Sequence, residues 1–243
     1  MITHALVLTA GLGTRLRPLT LTRAKPAIPV AGEPIIRRII TWLARERVVD
    51  LVLNLHYLPE TIAAVVGDGS DMGVRVRYSW EQPALLGSAG GPRHALPIIG
   101  NDTFFIVNGD TLTDLALDPL ARAHSASGAL VTMALVQNRE PDRYGGVRLA
   151  EDGHVTGFVA RGPAAAGSYH FIGVQAAQAE VFAGLTDGEP VNSVGAVYDR
   201  LIASKPGSIR GYMCDAAFWD IGTPQDHALT DAAFARSGSS VRL

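Results

Sequence analysis

Near the amino end of the chain, the run LTAGLGTRLRPLTLTRAKPAIPV places Gly11 and Gly13, Arg15 and Arg17, and Lys25 close together. These residue types suit phosphate. Glycines let backbone N–H groups approach phosphate oxygens with no Cβ in the way, and the Thr14 hydroxyl adds a further donor. Arg15 offers a planar fork to a phosphate, a geometry that lysine does not reproduce. Lys25 is one of two lysines, the other being Lys205, among 21 basic residues. In a chain that so prefers arginine, a lysine beside a phosphate loop points to a need for a compact point charge. The loop fits neither common nucleotide fingerprint: no Gly-Lys-Ser/Thr follows, and Leu16 stands where the last glycine of G-x-G-x-x-G belongs.

Two carboxylates complete the chemistry. FFIVNGD ends an apolar run in Asn108, Gly109 and Asp110, and AFWDIGTP carries Asp220. A carboxylate at a strand's carboxyl end is poorly placed for packing and well placed for Mg²⁺, which binds nucleotide phosphates through one or two carboxylates. Thr223, just before Pro224, is the better helix cap, which leaves Asp220 free for a metal. The seven histidines are scattered without a ligand pair such as H-x-x-x-H and read as surface or packing residues, with His170 in SYHFIGV as the exception.

Elements that hold loops in this way are legible in outline. Ala5 to Ala10 is a continuous apolar run, as in a strand covered on both faces. PIIRRIITWLARERVVD predicts a helix with Ile35, Ile36, Ile39, Ile40 and Leu43 on one stripe and Pro34 at its start. Strands follow at DLVLNLH, VRVRYSW and TFFIVNGD, with a helix over Leu58 to Val66. Strand, crossover and strand repeated in this order predict a doubly wound α/β architecture, with a mostly parallel sheet between helices. Ligands of such sheets sit beyond the carboxyl ends of the strands. From about Gly128, short segments ALVTMALV, YGGVRL, HVTGFVA and SYHFIGVQ predict a mixed sheet extending the first, with helices at Val191 to Ser204 and Pro224 to Ala235. One domain over residues 1–236 is expected, with a first half to about 127, a second half from 128, and a polar tail over 237–243.

Composition narrows the partners. The chain has 243 residues, 47% of them hydrophobic, and a formal charge of −2 without a basic block. No nucleic-acid or membrane partner is implied. A single cysteine, Cys214, excludes an intrachain disulfide and fits a reducing compartment. The start MITHALVLTAGLG lacks a basic leader region, so a cytoplasmic protein is expected.

G-x-G-T-R-L-x-P-L-T, K-P-x-x-P-V, N-G-D and W-D-I-G-T-P, in that order, resemble the sugar-1-phosphate nucleotidyltransferases, over nearly the whole chain from Leu6 to Ala228. The resemblance implies a Rossmann-like α/β fold whose first half binds the nucleotide and second half the sugar. It implies Mg²⁺-dependent transfer of a nucleotidyl group from an NTP (UTP, GTP or dTTP) to a sugar 1-phosphate, by a monomer or homodimer. It further implies that Ala10, Gly11, Leu12, Gly13, Thr14 and Arg15 hold the triphosphate. Lys25 would meet the reacting phosphates, Asp110 and Asp220 would hold the metal, and Glu81, Gly87 and Ser88 would read the base. Asn108, Gly145, Arg161 and Gly173 would face the sugar phosphate. One motif departs: where many members carry Glu-Lys-Pro, this chain reads FVARGP, with Ala160 and Arg161 at the first two positions. Short uridylyltransferases of the muramic-acid type also lack that motif, whereas LLGSAGG is similar to the base-reading segment of mannose- and heptose-type guanylyltransferases. Two other classes stay in view: a nucleotide-sugar-binding regulator, which loss of Lys25 or an aspartate would mark, and an NAD-type dehydrogenase, which an intact G-x-G-x-x-G would mark.

Overall fold

A computed structural model describes residues 1–237; the expected tail lies largely outside them. The strands are β1 (His4–Leu8), β2 (Pro29–Val30), β3 (Glu33–Pro34), β4 (Asp50–Leu55), β5 (Arg75–Trp80), β6 (Thr103–Asn108) and β7 (Thr111–Thr113), followed by β8 (Val131–Gln137), β9 (Gly146–Leu149), β10 (Val155–Val159), β11 (Tyr169–Gln178), β12 (Ile209–Met213) and β13 (Phe218–Asp220). The helices are α1 (Ile35–Arg45), α2 (Pro59–Val66), α3 (Gly87–Ile99), α4 (Leu117–Ser127), α5 (Glu180–Ala183), α6 (Tyr198–Ser204) and α7 (Pro224–Ser237).

Nine strands form one mixed sheet. Its main path runs β10-β9-β11-β6-β1-β4-β5, with β8 paired to β11 and β12 to β8. The β6-β1-β4-β5 block is parallel throughout. Helices cover both faces, as the apolar runs require: Ala5, Leu6 and Val7 in β1 are fully buried. Ile35, Ile36, Ile39, Ile40 and Leu43 of α1 pack on one face, and Ala89, Ala95 and Leu96 of α3 join Tyr198 of α6 and Phe182 on the other. The long antiparallel strand β11 lies against β6, so the two halves of the chain share one sheet. No helix among the described residues is long and apolar enough to cross a membrane.

Strand register decides where the site forms. Leu8 pairs with both Asn54 and Asn108, so β1, β4 and β6 end level with one another. Whatever follows them emerges along one edge. The short strand β13 pairs antiparallel with β7 so that Asp220 faces Thr111, and the Ile221 N–H donates to the Asp110 carbonyl (3.1 Å). Two acidic residues 110 positions apart in the chain are thereby made neighbours.

The structure adds strands β2, β3, β7, β12 and β13 and the short helix α5, which the sequence reading does not place, and it departs from that reading at α3, α4 and α6. α3 carries no helical signal in sequence, because Pro92 and Pro97 lie inside it and Gly87, Gly90 and Gly91 lower its helix propensity. α4 lacks a strong apolar stripe, with only Leu117, Leu120 and His124 buried. The helix expected from Val191 begins regularly only at Tyr198. Before it, Val194 is extended and Gly195 has φ +84°, which breaks the helical path.

Candidate active site

The segment after β1 leaves the sheet as a compact loop tied to itself. Gly13 has φ +59°, a left-handed conformation that a side chain resists, and a Cβ there would lie 2.8 Å from Thr20 Cγ2 and 3.2 Å from Lys25 Cβ. The Gly13 carbonyl accepts the Thr20 hydroxyl (2.8 Å), and the Thr20 carbonyl accepts the Tyr57 hydroxyl (2.8 Å). Leu16, fully buried, anchors the short turn Thr14–Leu16, while Arg15 beside it stays exposed. Gly11 differs from Gly13. Its φ is not positive, and a Cβ there would meet no atom within 4 Å. Packing does not require glycine at that position, so the open space above it is available to a ligand.

Opposite the loop, β6 ends in Gly109 and Asp110. A Cβ on Gly109 would lie 2.5 Å from the Leu8 carbonyl, which already accepts the Gly109 N–H (3.0 Å). Only glycine lets β6 turn here. Asp110 is thereby brought to Lys25, whose ammonium donates to Oδ2 at 2.5 Å, and Lys25 itself is 8% exposed. Asp220 adds a second carboxylate. Its pKa is raised, first by burial and then by Asp110, against the lowering effect of Lys25 and Arg15. The Arg15 fork reaches this point from the loop: Nη1 and Asp220 Oδ2 each lie 3.4 Å from the position a Cβ on Gly222 would take.

Between loop and strand ends lies a cavity of about 460 Å³. Its far wall is the amino end of α3. There Ala89 and Gly90 N–H groups donate to the Val191 carbonyl, and the Ser88 hydroxyl accepts the Ser193 N–H (2.9 Å). A glycine-containing loop, two cationic side chains and two carboxylates therefore meet at one mouth. The arrangement can bind a polyphosphate, and the two hard oxygen donors suit a divalent cation whose remaining ligands come from phosphate and water.

Residues 4–229 match the nucleotidyl transferase family. The chain belongs to that family. It is 33% identical over 240 residues, 97% of its own length, to a mannose-1-phosphate guanylyltransferase of Mycobacterium tuberculosis, covering 66% of that protein. It is 43% identical over 111 residues to an N-acetylmuramate alpha-1-phosphate uridylyltransferase of Neisseria meningitidis serogroup B, covering 46% of this chain and 48% of that one. The chain thus spans about two thirds or less of the length of these curated relatives. Solved structures share the fold: HddC of Yersinia pseudotuberculosis superposes with a TM-score of 0.83 at 21% identity, covering 96% of this chain and all of that one. A putative glucose-1-phosphate thymidylyltransferase of Bacillus anthracis gives 0.84 at 18% identity, covering 97% and 96%.

Within this cavity, the structure gathers most of the residues singled out from sequence. Ala10, Gly11, Leu12, Gly13, Thr14, Arg15, Lys25, Gly87, Ser88, Asn108 and Asp110 all line it, and Asp220 stands at its edge beside Gly222. Glu81 does not line it. The residue is fully buried behind the wall, where its carboxylate accepts from Asn54 Nδ2 (2.7 Å) and the Leu86 N–H (2.7 Å). The other sugar-side candidates are also set back from this cavity. Gly173 packs on Asn108, whose Nδ2 lies 2.8 Å from where a Cβ would stand, while Gly145 sits by the Val159 carbonyl next to the exposed Arg161.

Several lining residues are not singled out from sequence: Thr9, Pro26, Asn54, Leu85 and Gly222. Pro26 and Gly222 lie inside the quoted motifs K-P-x-x-P-V and W-D-I-G-T-P, whereas Thr9, Asn54 and Leu85 carry no spacing signal and are brought in by register or packing. Beside Asp220 the fold also assembles Tyr144, His170 and Phe218, with the Tyr144 and His170 rings 4.1 Å apart and His170 5.1 Å from Phe218. Burial pushes the Tyr144 hydroxyl up to about 12 and lowers His170, so a neutral imidazole stacks here at neutral pH. His170 is thus a packing residue of this aromatic cluster, which lines a neighbouring cavity.

The two glycines of the loop make a paired prediction. Gly11→Ala should melt like the wild type and weaken nucleotide binding, because only a ligand competes for that space. Gly13→Ala should lower stability itself, by about 1–3 kcal/mol, through left-handed backbone strain and contact with Thr20. Thermal melts with and without an NTP separate the two effects; a destabilised apo Gly11→Ala would remove the argument that its space is reserved for phosphate.

Proposed function

We propose that this protein transfers a nucleotidyl group from an NTP to a sugar 1-phosphate, giving a nucleotide sugar and pyrophosphate, with Mg²⁺ as the cation. The observation that carries the reading is the contact of Lys25 with Asp110 at the mouth of the glycine-lined cavity, with Arg15 and Asp220 beside it. Family membership supports the same class of chemistry.

The reaction asks little covalent work of the protein. A sugar 1-phosphate is ionised near neutral pH, so its oxygen forms the new bond to the α-phosphorus without a general base while the bond to the β-phosphate oxygen breaks and pyrophosphate leaves. Two polyanions must nevertheless be brought together in line, and charge develops on the leaving group. Catalysis is then positioning and charge stabilisation. In this reading the Thr9 to Thr14 backbone holds the triphosphate and the Arg15 fork takes its β and γ groups. Lys25, held by Asp110, faces the α-phosphate and the incoming sugar phosphate. Asp110 and Asp220 would hold Mg²⁺, which when bound neutralises phosphate charge and orients both substrates. Asn108 offers an amide that can donate to one sugar hydroxyl and accept from another, with Gly173 leaving room beside it. Arg161 meets the sugar phosphate in place of a family lysine. The base is uracil or guanine, as the differing names of the relatives suggest.

A matrix of UTP, GTP and dTTP against several sugar 1-phosphates, read by pyrophosphate release and product mass, tests the activity. On the pair that turns over, Lys25→Ala should lower kcat roughly 10²–10³-fold, equivalent to about 2.7–4 kcal/mol. Lys25→Arg should rescue it poorly because its charge is spread over a larger fork. A rise in KM alone would reduce Lys25 to a binding residue.

Asp220→Asn should divide function from stability. A carboxyl whose folded pKa is raised is most favourable to the fold below its ordinary pKa, and that stability is lost as pH climbs through the raised value. At neutral pH the charged form therefore opposes folding, and the amide relieves it. The mutant should melt higher than the wild type in chelator while losing most turnover with Mg²⁺. A lower melting temperature together with retained turnover would contradict both assignments.

A further inference from the structure

Glu81 is completely buried immediately after β5, and its own N–H donates to the Leu55 carbonyl (2.8 Å). A buried carboxylate costs more than a neutral amide of the same shape unless its hydrogen bonds demand the charge. Here they do. Oε1 accepts from Asn54 Nδ2 and Oε2 accepts from the Leu86 N–H, both at 2.7 Å. A carboxylate serves two facing donors, whereas a glutamine must turn its NH₂ group toward one of them.

Asn54 has no freedom to resolve such a conflict. Its Oδ1 accepts the Thr9 N–H at 2.7 Å, and its backbone carbonyl accepts the Thr9 hydroxyl. Because Thr9 offers an N–H, the amide oxygen must face it, and the NH₂ must then face Glu81. One unbroken chain of polarity runs from Thr9 through Asn54 and Glu81 to Leu86. Its ends are the two rims of the cavity: Thr9 begins the phosphate loop, and Leu86 precedes Gly87 and Ser88 at the amino end of α3. The chain is also sealed from above. A Cβ on Gly91 of α3 would lie 2.6 Å from Glu81 Oε1 and 3.0 Å from Asn54 Nδ2, so the helix backbone rests directly on the pair.

We infer that Glu81 is a positioning residue that, through Asn54, fixes the gap between the phosphate loop and the Leu85–Ser88 rim, and that it does not touch the nucleobase. The base then meets the rim's main chain and the Ser88 side. This rests on the proposed nucleotidyl transfer for its kinetic readout, though the hydrogen-bond argument itself does not.

Polarity reversal tests it. In Glu81→Gln an N–H must face an N–H somewhere along the chain, whether at Leu86, at Asn54 or, after an amide flip, at Thr9. In the double variant Glu81→Gln with Asn54→Asp, every bond can be remade. The new amide at position 81 accepts from Leu86 through its oxygen and donates through its NH₂ to the carboxylate at position 54, whose other oxygen accepts from Thr9. Melting temperature, and KM and kcat with UTP, GTP and dTTP, are measured for the wild type, both single variants and the double. Glu81→Gln should raise KM for every accepted NTP by about tenfold or more, with the ranking of bases unchanged, and the double variant should recover most of that loss. Should Glu81→Gln fail to fold, recovery of folding in the double variant is the supporting result. A double variant no better than Glu81→Gln in either readout, or a change in base ranking in either variant that folds, would overturn the inference. If the wild type turns over no pair of substrates, the proposed activity falls, while the cycle is still decided by the melting temperatures.

Discussion

Lys25 and Asp110 form the contact on which the site depends, because it allows two carboxylates to stand together in a partly buried place. Asp220 is pushed toward protonation by burial and by Asp110, and the cations Lys25 and Arg15 oppose that. Like charges brought close and desolvated repel unless a counter-charge is fixed between them. A lysine serves here because its charge is compact and its stem can be packed away; Lys25 is buried up to its ammonium. The charge balance of the site is thus one that added positive charge would favour, whether it arrives as a cation or as a cation carried with a polyphosphate.

Every scaffold feature near the site serves this placement. Level strand ends put Thr9, Asn54 and Asp110 on one edge. Gly109 lets the chain turn close over β1, and the pairing of β13 with β7 returns Asp220 from the far end of the sequence. The phosphate loop is fastened on three sides, by Thr20, by the Lys25 stem and, through Asn54, by the buried carboxylate of Glu81. Preorganisation of this sort suits chemistry in which the protein contributes placement and charge rather than bonds.

What can be read from sequence follows from whether the deciding contacts are local. The α1 stripe and the apolar run of β1 declare themselves because burial imposes a period on neighbouring residues. The glycine loop and Asp110 are placed at the cavity by sequence because each is a contiguous segment at a strand end. α3 is not, since its helix is held by tertiary contacts: Gly90 accommodates the Glu189 carbonyl 2.5 Å from where a Cβ would be, and Gly91 lies on Glu81. Propensity alone would break that segment at Pro92 and Pro97. Asn54 carries no sequence mark at all, being an ordinary strand residue until its amide is seen between Thr9 and Glu81. Glu81 is assigned to the base from sequence only through the family resemblance of its segment; in the structure its neighbours Gln82, Pro83 and Ala84 are exposed while its own side chain turns inward.

In the proposed reaction, transfer proceeds by alignment and charge, in one displacement, with no covalent intermediate on the protein. The stereochemical course at the α-phosphorus tests this. With a single diastereomer of an NTP bearing sulfur on the α-phosphate and an accepted sugar 1-phosphate, a single displacement gives a nucleotide sugar of inverted configuration at that phosphorus. Retention would require two displacements through a nucleotidylated side chain, and would contradict it.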